Sequence, residues 1–145
     1  MDGSRLRLTG VGEGFTTLVS TTLSGVDSPA KVLNAVRTLF PEADRAELED
    51  EPVQGRPSHG TWEFKGLSMG VFLQQLHEQR ILDTALDAMS MNLLGNSTTF
   101  RITRQAAVAG KIAFPIPGDE PVGGTFTITI SGEGIEDWLQ AATWH

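Results

Sequence analysis

The sequence predicts an α+β fold, a two-layer sandwich in which a mainly antiparallel sheet carries its helices on one face. Three observations predict it. Segments that alternate apolar and polar residues, as half-buried strands do, come mostly in neighbouring pairs. Segments with apolar residues at helical spacing lie between these pairs. The chain has 145 residues, which suits one domain, and no apolar run in it is long enough for a membrane span.

The first half of the chain predicts a strand, a helix and a strand pair. Residues 15–25 are rich in Thr, Val and Phe, which favours a strand. In the helix that follows, Ser28 can cap the N-terminus, Pro29 suits the first position and Pro41 ends the run. Weak alternation in "RAELED" predicts an edge strand. Clearer alternation in "TWEFKG" predicts a second strand, so we expect a hairpin with a long connection.

The second half predicts two helices, three strands and a closing helix. Apolar spacing in "LSMGVFLQQLHEQ" and "RILDTALDAMSMNLL" indicates two helices or one broken helix, with Gly95 as the C-cap. "NSTTFRIT" and "GKIAF" read as strands, and "RQAAV" between them is too short for a crossover helix, so we expect an antiparallel hairpin. "TFTITISG" predicts another strand, and "IEDWLQAATW" predicts the last helix.

The domain organisation follows from the glycine-rich start. "GVGEGF" predicts a flexible N-terminal extension over residues 1–14, followed by a single α+β domain over residues 15–145. The N-terminus lacks the apolar stretch of a secretory signal, and cysteine is absent, which excludes disulfides. These features predict a cytoplasmic protein that does not associate with membranes.

The residues that usually carry catalysis do not form a recognisable motif. His59, His77 and His145 lack the spacing of a zinc site, and no nucleophile elbow or phosphate-loop lysine is present. The carboxylates are most simply explained as solvated surfaces. The sequence therefore predicts no enzyme, no catalytic residue, no metal and no cofactor.

A cluster of basic residues suggests a different function. The net charge of −7 argues against a broadly basic nucleic-acid binder, yet residues 97–118 contain no acid. Basic and polar side chains around "RQAAV" could contact phosphates, and small residues would let a backbone approach. The candidate nucleic-acid-binding residues are Arg80, Asn96, Arg101, Arg104, Gln105 and Lys111. The alternative is that exposed strand positions carry Arg and Lys for solubility and edge protection.

Two longer stretches resemble a known family. "RILDTALDAM" and "GNSTTFRITRQAAVAGKIAF" resemble the core signature of the archaeal uncharacterised protein family 0201, which reads R-I-L-D-T-A-R, G-N-x-T-x-F and N-K-Q-A-A-x-x-G-K. The helix "SPAKVLNAVRTLFPEA" also resembles the family's first helix, so the resemblance covers residues 15–138. Thr103 and Arg104 stand where the family has Asn-Lys, and Leu86 replaces a basic residue.

The resemblance implies a fold similar to the RNA-binding domain of the ribosomal protein that holds 5S rRNA. Members of the family are described as candidate RNA-binding proteins, with no enzymatic activity attached to them. Our first hypothesis is therefore a non-enzymatic protein that binds structured RNA. The alternative is a protein-interaction module or homodimer that pairs through an exposed sheet edge. A small-molecule enzyme is third, because it would need a pocket with a titratable group of shifted pKa.

Overall fold

Four strands and five helices make up the computed structural model, which describes residues 8–144. In chain order they are β1 (Thr16–Thr22), α1 (Pro29–Leu39), β2 (Thr61–Lys65), α2 (Gly70–Gln79), α3 (Leu82–Ser90), β3 (Ser97–Thr103), α4 (Arg104–Val108), β4 (Thr125–Ser131) and α5 (Ile135–Ala142). The strands form one sheet in the order β2-β1-β4-β3, and every neighbouring pair is antiparallel.

The sheet buries one face. In each strand every second residue is buried, and these residues join the apolar side chains of the helices in a single core. The residues of the other parity are exposed or half-buried, and their face is called the open face below. The predicted α+β sandwich with helices on one side of an antiparallel sheet is therefore confirmed.

Helix α1 forms as its sequence predicts. The backbone N–H of Lys31 donates to Ser28 Oγ at 3.3 Å, and Pro29 occupies the first turn. The helix ends at Leu39, and the Phe40 ring then stacks on Phe72 with centroids 5.7 Å apart. The last helix, α5, also matches its predicted segment. Helix α3 ends at Ser90, well before the predicted cap at Gly95. No helix within residues 8–144 is both long and apolar enough to cross a membrane.

The predicted edge strand "RAELED" is wrong, because residues 45–50 form no strand. Side chains position this segment instead of a backbone ladder. The N–H of Ser68 donates to Glu42 Oε1 at 2.9 Å, and the Trp62 indole donates to Glu49 Oε2 at 2.9 Å. The segment thus runs alongside β2 but forms no backbone ladder with it.

The predicted hairpin between β3 and "GKIAF" is also wrong. "RQAAV" forms α4, because Thr103 Oγ1 accepts a hydrogen bond from the Ala106 N–H at 3.3 Å and caps the helix. Gly110 follows the helix with a φ of +72°. One backbone bond, from the Thr103 N–H to the Ala113 carbonyl at 2.9 Å, ties the next segment to β3. The real neighbour of β3 is β4.

The described part of the predicted N-terminal extension contacts the domain. The Met69 N–H donates to the Thr9 carbonyl at 2.8 Å, and the Trp138 indole donates to Glu13 Oε1 at 2.8 Å. Residues 8–14 are thus part of the fold, which differs from the prediction. The predicted flexibility of residues 1–7 falls outside the described residues, and so does His145.

Candidate functional site

Arg104, which was expected to begin a phosphate-contacting turn, is buried. Its guanidinium donates from Nη1 to Thr21 Oγ1 at 2.8 Å and to the Thr22 carbonyl at 3.0 Å. Nε donates to the Gly123 carbonyl at 2.6 Å, and Nη2 lies 2.8 Å from Asp27 Oδ2. Only 5% of the residue is exposed. The prediction that Arg104 presents its charge to a ligand is therefore wrong. The side chain instead joins the end of β1 to the loop that carries Asp27 and the loop that carries Gly123.

Arg101 lies on the open face, as its strand parity predicts, but acidic neighbours share its charge. Its Nη1 lies 3.4 Å from Glu120 Oε1, and its Nη2 donates to the Asp119 carbonyl at 2.9 Å. An exposed ion pair of this kind contributes about 0–1 kcal/mol to stability, and a ligand can compete with it. Arg101 therefore remains accessible with reduced local positive charge.

The other candidate residues do not gather around Arg101. Asn96 precedes β3 and Arg104 follows it, so a strand about 20 Å long separates the two ends of the predicted surface. Arg80 is exposed at the C-cap of α2, in a left-handed conformation with a φ of 58°. Gln105 lies on α4, and Lys111 follows it, both exposed. Two hydrogen bonds between the Gln79 side chain and the Ile112 backbone place the neighbouring residues Arg80 and Lys111 on adjacent segments. The six residues therefore lie on several elements, and one of them, Arg104, is enclosed.

The open face is covered with neutral hydroxyls. All four open-face positions of β4 are Thr or Ser, and so are three of the four in β3. These hydroxyls pair across the strands, as Thr99 Oγ1 and Thr129 Oγ1 do at 3.0 Å. The face presents no aromatic side chain for base stacking in these two strands and little positive charge. It has the chemistry of a polar protein surface.

The described residues contain no cluster of metal ligands, and one cavity lies against the open face. Within residues 8–144 no group of three His, Asp or Glu side chains could hold a metal ion. A shallow cavity of about 460 Å³ covers one end of the open face and is lined by hydroxyls, Asp27, Arg104 and Glu120. The carboxyls whose pKa is displaced, Glu13 and Glu49, do not line it.

The outer edge of β3 is capped. Ser97 exchanges two backbone hydrogen bonds with Leu94, at 2.9 and 3.1 Å. Asn92 Nδ2 donates to the Thr99 carbonyl at 3.0 Å, and the Thr103 N–H donates to a carbonyl in the segment after α4. These bonds occupy much of the outward backbone of β3, as expected for a protected edge.

The outer edge of β2 is open. The Gly66 N–H donates to the Thr17 carbonyl at 3.1 Å, and this register turns the backbone of every second residue of β2 toward β1. The alternate residues, Thr61, Glu63 and Lys65, point their N–H and C=O groups away from the sheet. Within the part of the chain that the structure describes, no hydrogen bond reaches these backbone groups, and all three residues are exposed. We call this surface the β2 edge.

Residues 42–51, the acidic segment, flank the β2 edge on its helix side. The Glu49 carboxylate accepts from the buried Trp62 indole near the start of β2, and Glu42 accepts from the Ser68 N–H beyond its end. The segment therefore runs antiparallel to β2. Its six acidic residues and one arginine give it a net charge of −5.

The anchoring carboxylate of Glu49 is held ionised. Partial burial is the largest influence and favours its neutral form, but the Trp62 indole and the nearby Arg45 guanidinium together keep the pKa of Glu49 below its usual range. Arg45 itself lies over the Trp62 ring, 4.7 Å from the centroid. The pattern of the sequence does not reveal the β2 edge, because it predicts "RAELED" as the neighbouring strand.

Comparison with known proteins identifies relatives. No protein-family model matches the chain. The UPF0201 protein of Sulfurisphaera tokodaii is 36% identical over 121 residues, which is 78% of this chain and 78% of that protein. The UPF0201 protein of Sulfolobus acidocaldarius is 31% identical over 117 residues, again 78% of each.

Solved structures share the fold. The crystal structure of a UPF0201 protein from Methanococcus jannaschii matches with a TM-score of 0.73 and 24% identity, over 88% of this chain and 98% of that one. Another UPF0201 crystal structure matches with a TM-score of 0.69 and 25% identity, over 86% of this chain and 90% of that one. These relatives and structures carry the same family name.

Proposed function

This chain belongs to the UPF0201 family of archaeal proteins, and we propose that it works as a protein-interaction module without enzymatic activity. In this proposal an extended segment of a partner adds to the sheet at the β2 edge. Strand addition is a common mode of peptide recognition, in which main-chain hydrogen bonds supply affinity and alternate side chains supply specificity.

A single observation carries the proposal, namely the difference between the two edges of the sheet. The outward backbone of β3 is bonded at Ser97, Thr99 and Thr103, though not at Arg101. Among residues 8–144 no bond reaches that of β2 over Thr61, Glu63 and Lys65. The strand is short, and its exposed residues include the charged Glu63 and Lys65, two features that limit aggregation through a sheet edge. Its outward N–H and C=O groups stay available to an added strand.

Binding of structured RNA is the competing proposal, and the geometry supports it less well. Arg104 is enclosed, Arg101 shares its charge with Glu120, and Asn96 lies at the far end of β3. With few cations available, only a few phosphates could be neutralised, so RNA association would be weak and strongly dependent on salt.

The experiment that tests the proposal uses a neutral eight-residue peptide of alternating Val and Ser as the probe. We expect its addition to slow amide hydrogen exchange at Glu63 and Lys65, measured by NMR, since both N–H groups would join a new ladder. The matched control is the same peptide N-methylated at every residue, which removes the backbone donors on both of its edges. Absence of protection at millimolar peptide, or equal protection by the methylated peptide, would overturn the proposal.

A further inference from the structure

We infer that the segment accepted at the β2 edge is basic: an extended stretch of a partner protein with Lys or Arg at alternate positions. This inference rests on the proposed function and adds the chemistry of the partner to it. It follows from the charge that lies beside the unbonded backbone.

The charge comes from the acidic segment. Its residues Asp44 and Glu47 are exposed, and among residues 8–144 no hydrogen bond or ion pair involves their side chains. They lie between the two anchors of the segment, Glu42 and Glu49, which are fixed at opposite ends of β2. The backbone that carries Asp44 and Glu47 therefore runs beside β2 between these two anchors.

The geometry of an added strand predicts the sequence pattern of the partner segment. Successive side chains of an added strand point to opposite faces of the sheet. Those on the helix side would lie beside the acidic segment, and those on the open face would lie beside Glu63 and Lys65. Lys or Arg at every second position thus meets Asp44 and Glu47, while neutral residues suit the mixed charges of the open face.

A second copy of this chain is a poorer occupant. Pairing of two β2 edges would bring together two acidic segments, each with a net charge of −5, on two chains that each carry −7. Like charges brought within about 8–10 Å of each other are only partly screened at physiological salt. RNA fails for the same reason, because its phosphates would approach the acidic segment.

Three eight-residue peptides provide the test. They alternate Val with Lys, Ser or Glu, so they share length and backbone and differ in charge alone. We expect the Lys peptide to bind about tenfold tighter than the Ser peptide at low salt, from a few charge pairs of modest strength, and the Glu peptide to bind weakest. The advantage of the Lys peptide is expected to shrink in about 0.5 M salt, where screening is strong.

Charge-reversal variants test whether the tighter binding of the Lys peptide comes from the acidic segment. Asp44→Lys with Glu47→Lys is expected to abolish the advantage of the Lys peptide and to leave binding of the Ser peptide within about twofold. The control, Asp87→Lys with Glu133→Lys, changes the net charge equally at exposed positions outside the segment. It is expected to keep most of the advantage, and an equal loss in both double variants would overturn the inference.

The peptides also distinguish failure of the charge preference from failure of strand addition at the β2 edge. If the Ser peptide protects Glu63 and Lys65 and binds as tightly as the Lys peptide, the inference fails and the proposed function stands. If no peptide protects these amides, the proposed function fails as well. Self-association of the protein alone that protects the same amides would overturn the inference in favour of a second copy.

Discussion

Arg104 Nη2 lies 2.8 Å from Asp27 Oδ2, and only 6% of the Arg104 side chain is exposed. This ion pair joins the start of α4 to the loop between β1 and α1, and the same guanidinium also bonds the end of β1. A residue that resembles a ligand contact in the sequence is therefore a structural tie. Because Arg104 is enclosed, the unbonded β2 edge is a better candidate site than the basic residues.

Replacing Arg104 should lower the stability of the fold. Arg104→Met leaves Asp27 without its cation and removes the donors to Thr21, Thr22 and Gly123, so we expect the free energy of unfolding to fall by about 3 kcal/mol. Arg101→Met, which breaks an exposed pair, should cost no more than about 1 kcal/mol. Chemical denaturation of both variants checks the difference, and equal losses would contradict the structural role of Arg104.

The loop that receives Arg104 has no room for a side chain at Gly124. A Cβ there would lie 2.7 Å from Arg104 Cζ, whereas one at Gly123 would meet only Gln105 Cβ, at 3.8 Å. Both glycines have positive φ, at +81° and +88°, so the backbone strain of an alanine is similar at the two sites. We expect Gly124→Ala to lower the unfolding free energy by at least about 1 kcal/mol more than Gly123→Ala, measured by denaturation. Similar values for the two would show that Arg104 can move aside.

The bond between Trp62 and Glu49 predicts a dependence of stability on pH. Folding lowers the pKa of Glu49, so the ionised carboxylate contributes to the free energy of unfolding. This contribution is present above the unfolded pKa of about 4.3 and is lost as pH falls through the lower pKa of the folded state. Trp62→Phe removes the indole donor, so its unfolding free energy should decline less steeply between about pH 6 and pH 3. Trp144→Phe is the control, since that residue is 81% exposed. A wild-type slope in Trp62→Phe would contradict the assignment.

RNA association gives a fourth prediction. We expect no RNA complex at about 0.1 M salt and micromolar protein, because Arg104 is enclosed and Arg101 shares its charge with Glu120. Gel-shift titration against a structured RNA, repeated with Arg80→Glu, Arg101→Glu and Lys111→Glu combined, checks it. Salt-sensitive binding by the wild type that the triple variant loses would restore the RNA hypothesis.

The sequence was enough to predict the four strands and most of the helices, though not how the strands pair. Composition located β1, alternation located β2 to β4, and Ser28 and Pro29 located the start of α1, because burial and capping are local properties of the sequence. Alternation also placed Arg101 on the open face.

The errors arose where distant groups decide the local structure. "RQAAV" has the length of a turn, yet the cap from Thr103 makes it helical. Arg104 looks exposed in the sequence because its partners, Asp27, Thr21 and Gly123, are remote along the chain. "RAELED" alternates like a strand, but Glu49 binds Trp62 through its side chain, and this anchoring replaces a backbone ladder.

The most direct test of the open β2 edge is the exchange of its amide hydrogens, one residue at a time, in the protein alone. Trp62 and Phe64 turn their N–H groups toward β1, so their exchange should be slow. Glu63 and Lys65 turn theirs outward, so theirs should be faster by orders of magnitude, giving an alternating profile along a five-residue strand. Uniform slow exchange from Trp62 to Lys65 at all protein concentrations would show that the edge is already paired and would contradict the account.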